Sequence, residues 1–222
     1  MLSGRSVSVV LLAGGASRRM GKNKLSIEFG EVNPIELCVE AFRFCADEFV
    51  FVCSDENMTV AENAAISIDV PVKFVHGGMR RQDSVRNGVK ASSMQFVSIH
   101  DCARCLVDRS TIENSLIGAF EHGSGIASVK VVDTIRNRDT GVVVERERLI
   151  AAQTPQSFER NELLDAFDRC NFVQKTYTDD AAILLASGKM PNFTCGHSMN
   201  MKLTSPDDIE LFNAILERRK SV

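Results

Sequence analysis

The chain has 222 residues, with 26 Lys and Arg against 29 Asp and Glu, and 44% of its residues are hydrophobic. That length accommodates one sizeable core, and a net charge of −3 excludes a general attraction to nucleic acid or an anionic membrane. No apolar run reaches the length of a membrane span, and seven scattered cysteines without a signal peptide are what a reducing cytoplasm leads one to expect.

In chain order the first apolar run, Val7–Leu12, is too short for a signal peptide and leads into a cationic loop, so it reads as a strand. A helical pattern follows over Pro34–Ala46, then strands over Phe49–Cys53 and Val72–Val75, and a helix over Arg81–Ala91. Next come a strand over Phe96–His100, a helix over Ser110–His122 and a strand over Gly125–Val132. Helices over Arg160–Cys170 and Asp179–Ser187, a strand over Phe193–His197 and a helix over Pro206–Arg219 complete the pattern. Two helix starts are signposted: Ser110 to Glu113 fits a capping box, and Ser205-Pro206-Asp207-Asp208 orders a cap, an N1 proline and two acids. Such alternation predicts an α/β fold, a mainly parallel sheet with helices on both faces, which binds ligands at the carboxyl ends of its strands. One section interrupts it: from about 133 to 154 a charged loop, a glycine turn and two short strands predict a projecting β-arm. A two-stranded ribbon is marginal alone, so a partner subunit is its expected support. No linker divides the chain, and residues 1–222 read as one domain.

The loop after the first strand, Gly14-Gly15-Ala16-Ser17-Arg18-Arg19-Met20-Gly21-Lys22-Asn23-Lys24, has the glycines and cations of a phosphate grip. It is not a Walker A loop: Ala16 stands where G-x-x-x-x-G-K-S/T needs its first glycine, and Asn23 replaces the hydroxyl. Nor does it fit G-x-G-x-x-G, because Ala16 and Arg19 occupy the later glycine positions. The strand followed by L-A-G-G-x-S-x-R-M-G-x-x-K resembles the start of the nucleotidyltransferases that join a sugar or cofactor phosphate to a nucleotide. HGGMRRQDSV (76–85), HDCARC (100–105), VVDTIR (131–136), QTPQSF (153–158), YTDDAA (177–182) and NMKLTSPDD (200–208) follow in order. Together these motifs resemble one family of that group, the 2-C-methyl-D-erythritol 4-phosphate cytidylyltransferases, over nearly the whole chain.

The resemblance implies a Rossmann-like fold whose arm serves dimerisation, and transfer of CMP from CTP to a small polyol phosphate with release of pyrophosphate. An ionised substrate phosphate is its own nucleophile, so positioning and fixed positive charge suffice. In residue terms the resemblance sets Arg19 and Lys24 at the α-phosphate as the catalytic pair, and Gly14 and Gly15 where the backbone wraps the nucleotide. Gly77, Gly78 and Ser84, with Arg81 alongside, match the part that reads the pyrimidine. Asp101, Arg104, Thr134, Thr154, Thr178 and Lys202 match the surroundings of the sugar phosphate, with Mg²⁺ the implied cofactor and Asp101 its candidate contact. Arg146, on the arm, matches an arginine that enters the partner subunit's site in a homodimer.

The chain departs from the family's usual pattern at Cys105, where proline is common, and at Asn23-Lys24-Leu25, where Pro-Lys-Gln is common. His100, Cys102 and Cys105 spell H-x-C-x-x-C but have no second matched pair for zinc. The Asp179-Asp180 pair could bind a metal, although the dipole of the helix it begins accounts for both acids, and Arg146 has an alternative as one rung of an exposed charge ladder. Three rival functions stay open: a ribitol 5-phosphate cytidylyltransferase, a nucleotidyltransferase of molybdenum-cofactor assembly for the first loop alone, and a non-catalytic nucleotide-binding module.

Overall fold

The computed structural model describes residues 4–14, 21, 23–170 and 175–220. Strand β1 (Val7–Ala13) is buried at every position, because both faces of a central parallel strand are covered and β-branched residues suit that setting. It lies between two parallel neighbours, β2 (Glu48–Cys53) and β4 (Phe96–Asp101). Strand β3 (Val72–His76) extends the parallel set beyond β2. On the other side β6 (Ile150–Glu159) runs antiparallel to both β4 and β5 (Ser124–Lys130), and β7 (Phe193–Cys195) pairs parallel with β5 at the edge. The order is β3-β2-β1-β4-β6-β5-β7.

Helices cover both faces, as the alternation predicts. Val7, Val9 and Leu11 point toward α1 (Pro34–Phe42), α2 (Asp55–Ala65), α4 (Arg109–His122) and α7 (Asp208–Lys220), where Phe42, Ile112, Leu116 and Phe212 are fully buried. Val10 and Leu12 point toward α3 (Arg81–Ala91), α5 (Arg160–Arg169) and α6 (Asp180–Ala186), against Val85, Val89, Leu163 and Ile183. Each fully buried Leu, Val or Phe contributes roughly 1.5–3 kcal/mol of transfer free energy. No helix among the described residues is long and apolar enough to cross a membrane.

Four local expectations are corrected. The start of α4 is capped by Asp108, whose side chain accepts from Thr111 N at 2.7 Å, so Ser110 is already inside the helix. The last helix starts at Asp208 rather than Pro206; its carboxylate reaches back to Thr204 N and Ser205 N at 2.7 and 2.8 Å and closes a tight turn over the proline. A helix, α2, occupies a stretch to which the sequence assigns no element. The two short strands of the arm do not form: one antiparallel bridge, Arg136 to Val143, is the pairing within it, and from Ile150 onward the chain belongs to β6. No residue from 131 to 149 is buried.

Candidate active site

The parallel strands β1 to β4 all end at one rim of the sheet. Chain order reverses between β1 and β4, and the loops diverge there, which opens a crevice in folds of this kind. A cavity of about 540 Å³ occupies it, with Gly14, Lys24, Gly77, Gly78, Arg81, Ser84, Asp101 and Lys202 in its wall. Eight of the fifteen residues expected from sequence are therefore brought together from segments up to 188 positions apart (202 − 14). Arg19 and Gly15 lie outside the described residues.

Lys24 begins a single 3₁₀ turn, Lys24–Ser26, whose N-cap is Asn23. The Asn23 side chain accepts from Leu25 N at 3.1 Å and donates to Asn57 Oδ1 at 2.6 Å. Asn57, fully buried in α2, donates in turn to the Ala13 carbonyl at 2.8 Å. Lys24 is thereby tied to the end of β1 through two asparagines, and Asn23, where the family commonly has proline, has a structural reason.

The Gly77-Gly78 turn follows β3. A side chain at Gly78 would put its Cβ 2.4 Å from Asp83 Cβ, so the close approach of α3 requires glycine there, while one at Gly77 would sit 3.0 Å from Ser84 Oγ and press on that hydroxyl. Ser84 Oγ accepts from Gly78 N at 2.9 Å, and Asp83 takes the Arg80 guanidinium at 3.0 and 2.9 Å. Exposed backbone, one hydroxyl and a helix start form this half of the cavity.

The opposite half is ionic. Asp101, at the end of β4, accepts from Arg81 Nε at 3.2 Å on one oxygen and from Lys202 Nζ at 2.6 Å on the other. Burial alone would raise its carboxyl; the Arg81 and Lys202 charges outweigh burial and hold it well below the usual carboxylate range. The two remaining Arg81 nitrogens donate to both oxygens of Asp180, at 3.0 and 3.1 Å. Burial pulls the guanidinium down, but Asp180 and Asp101 more than offset this and raise it, so Arg81 stays charged. Asp180 is completely buried. Sequence reasoning misses it as a site residue, since the dipole of α6 is enough to account for both acids. Only Asp179 behaves that way, capping Ala182 N at 3.0 Å.

Behind Asp101 sits a relay that fixes its strand. Asp101 N donates to Thr154 Oγ1 at 3.1 Å, and Thr154 Oγ1 lies 3.0 Å from His100 Nδ1. The other ring nitrogen, Nε2, is 3.2 Å from the Arg104 carbonyl, which can only accept. Nε2 therefore carries the proton, and the Thr154 hydroxyl donates to Nδ1. Burial pushes the His100 pKa down to about 4, so the ring is neutral at pH 7. Thr154 is 4% exposed and acts from within the protein, not from the cavity wall.

The segment carrying Lys202 is strapped down by Asn200, whose amide donates to Gln153 Oε1 at 3.1 Å and to the Thr154 carbonyl at 2.8 Å, and by Leu203 N on the Ala103 carbonyl. Arg104 donates to the Asn200 carbonyl at 2.8 Å and is not in the cavity wall. Cys105 is buried among apolar residues, and burial pushes its thiol up to about 12, so it packs as a small hydrophobe in the place where proline is usual. Thr178 is exposed and follows Tyr177, whose N–H donates to the buried Gln82 side chain at 2.7 Å. Thr134 and Arg146 lie on the exposed segment away from the wall; Arg146 Nη1 donates to the Val132 carbonyl at 2.5 Å and Nε faces Glu147 at 3.5 Å. Of the amides that hold these segments, Gln82, Gln156 and Asn200 carry no sequence signal beyond lying in the quoted motifs, and Asn57 lies in none of them.

The family model described as 2-C-methyl-D-erythritol 4-phosphate cytidylyltransferase matches residues 7–218. The chain belongs to that family. A relative of that name from Alkaliphilus oremlandii is 35% identical, over 96% of this chain and 96% of its own. Another from Clostridioides difficile is also 35% identical, over 96% and 94%. The solved structure of a 2-C-methyl-D-erythritol 4-phosphate cytidylyltransferase from Thermus thermophilus superposes with a TM-score of 0.78 at 28% identity, over 95% of this chain and 98% of that one. A 4-diphosphocytidyl-2C-methyl-D-erythritol synthase from Anaerococcus prevotii gives a TM-score of 0.85 at 21% identity, over 96% and 99%, a likeness of fold. The chain is thus a cytidylyltransferase-family enzyme, and the quoted motifs fall inside the matched span.

Proposed function

We propose that the chain transfers CMP from CTP to 2-C-methyl-D-erythritol 4-phosphate, releasing pyrophosphate, as a step of isoprenoid precursor synthesis. The observation that carries this reading is one cavity with a glycine and hydroxyl half and an ionic half, Lys24 on its wall and Lys202 beside Asp101. Two polyanions need fixed cations to meet. An oxygen of the acceptor phosphate forms the bond to the α-phosphorus, the bond to the bridging oxygen breaks, and pyrophosphate takes the electron pair.

In this mechanism Lys24, with Arg19, stabilises charge developing on the α-phosphate. The Gly77-Gly78 turn and Ser84 offer backbone groups and a hydroxyl to the pyrimidine, and Gly14 and Gly15 line the nucleotide's path. Lys202 holds the acceptor's phosphate and Asp101 accepts from its hydroxyls, while Thr134 and Thr178, outside the cavity wall in the single chain, would join them only in the assembled complex. Thr154 and Arg104 support Asp101 and the Lys202 segment from behind.

Mg²⁺ fits this donor set in a limited way. Among the described residues no group of three or more His, Cys, Asp or Glu is arranged for a metal, while Asp101 is an ionised oxygen donor in the cavity wall. That suits a hard cation held mainly by phosphate oxygens, with Asp101 as a supporting carboxylate. Mg²⁺ would supply neutralising charge to the triphosphate.

The active unit in this reading is a homodimer. Val132, Val142 and Val143 are 80%, 62% and 51% exposed on a segment with no buried residue, so a second copy is its natural cover, and Arg146 would travel with it. All seven cysteines are free, which suits a reducing cytoplasm. Residues 1–222 form one domain in this reading.

Pyrophosphate release with CTP, UTP, ATP and GTP, each paired with methylerythritol phosphate and ribitol 5-phosphate, tests the activity. Release with CTP and methylerythritol phosphate is expected. A preference for ribitol 5-phosphate would move the chain to that acceptor, and silence with every pair would reduce it to a nucleotide-binding module.

A further inference from the structure

Asp101 divides its two oxygens between cations of different kinds. Lys202 is a single ammonium on a flexible stem, with 37% of its side chain exposed, and it holds Asp101 at 2.6 Å. Arg81 holds the other oxygen with Nε while its remaining nitrogens are fixed, in parallel, on Asp180. Asp180 is 0% exposed, so its carboxylate is shielded from water. Its backbone N–H and that of Ala181 both donate at 3.0 Å to Oε1 of Gln156, so the start of α6 is itself anchored to the centre of the sheet.

Burial raises the Asp180 carboxyl, and the guanidinium docked on both its oxygens opposes that; with both carboxylates ionised, Arg81 and Lys202 balance Asp101 and Asp180. If Lys202 is to grip a phosphate it must loosen from Asp101. That would leave a mostly buried carboxylate short of one counter-charge, with a large penalty were nothing else beside it. Arg81 remains beside it only if something prevents the guanidinium from following the incoming anion. The bidentate pair with Asp180 is that restraint, since a planar fork docked on two oxygens has one orientation.

We propose that Asp180 is a positioning residue of the transfer reaction: it pins Arg81 against Asp101, so that Lys202 alone is released to the acceptor's phosphate. The inference rests on the activity proposed above. Asp180 acts through Arg81 and touches no substrate. Replacing it leaves Arg81 free to take Asp101 with both arms or to bind the acceptor's phosphate unproductively, and misplaced groups at this scale cost on the order of 100-fold.

A double-mutant cycle tests this, because a residue that acts through another shows no independent effect once the other is changed. Asp180→Asn is expected to lower kcat/KM for the acceptor by about 100-fold. The Kd for CTP, measured without acceptor, should shift less than about threefold, since the Gly77-Gly78 half of the cavity is untouched. In an Arg81→Lys background the same substitution should cost less than about threefold more. Losses that multiply across the two sites, or full activity in Asp180→Asn, would overturn the proposal. If Asp180→Asn fails to fold by circular dichroism, Arg81→Gln/Asp180→Asn removes both charges of the buried pair together. That double variant should fold with the activity of Arg81→Gln alone, and activity well below it would overturn the proposal. A wild-type chain silent toward every acceptor would sink the activity itself, whereas multiplying losses in an active enzyme would sink only the role of Asp180.

Discussion

At the rim of the sheet the Arg81, Asp101, Asp180 and Lys202 charges are balanced within one chain, each held at 2.6–3.2 Å. The segment 131–149 is the reverse: its valines face solvent and Arg146 folds back on the Val132 carbonyl of its own segment. The first region is preorganised, ready to exchange one partner for a substrate group. The second is unfinished as a single chain, and its sequence makes sense against a second surface. Preorganisation and incompleteness thus sit at opposite ends of the same acceptor-binding proposal, one read from paired charges and the other from uncovered apolar area.

The sharpest way to test the preorganised side is to remove a cation from it. Lys24→Ala should lower turnover by about 100- to 1000-fold, as loss of a key electrostatic group does, with the CTP Kd changing far less; near-normal turnover would end its assigned role. Next in size is the relay under Asp101. His100 has a folded pKa of about 4 against an ordinary 6.5, so between these values the unfolded chain takes up a proton that the folded chain refuses. Stability is then fully present above pH 6.5 and falls toward pH 4, by up to about 3 kcal/mol for this one group. Urea unfolding across that range should show the slope, and His100→Gln should flatten it; an unchanged slope in the variant would remove His100 as its source.

The unfinished side gives smaller effects. Val142→Asp should weaken self-association by about 2 kcal/mol, read by sedimentation over a concentration series, while a wild-type chain monomeric at every concentration would break the contrast between the regions. Arg146→Ala chains mixed with Lys24→Ala chains should recover part of the activity, since a mixed dimer has one site with both residues. Mixed dimers that form and stay silent would confine Arg146 to its own arm.

The sequence and the structure diverge in instructive places. Helix and strand alternation is legible because a covered parallel strand must be apolar throughout, as β1 and β2 largely are. Strand β6 escapes that logic. Its buried stretch, Gln153–Phe158, is polar at most positions, yet Gln156–Phe158 within it pairs with both β4 and β5 and its side chains bond across the interior. Helix α2 is invisible because it buries only Asn57, Ala61 and Ala64, too small a stripe to give a helical signal. Among site residues, those fixed by motif and spacing (Lys24, Asp101, Lys202) converge as expected on one cavity. Asp180 is legible as a residue but not as a role, because the partner that gives it one stands 99 positions earlier.

Strand β6 also has a thermodynamic signature. Its Gln156–Phe158 section is paired on both sides, so those amides should exchange with solvent only through opening of the whole sheet. The same strand begins at Ile150, directly after the exposed segment, with its first three residues wet and the next six buried. Along those ten residues protection should climb from nearly none to the molecule's maximum. The boundary falls between Ala152 and Gln153, and Thr154, whose hydroxyl steadies Asp101, lies just inside it.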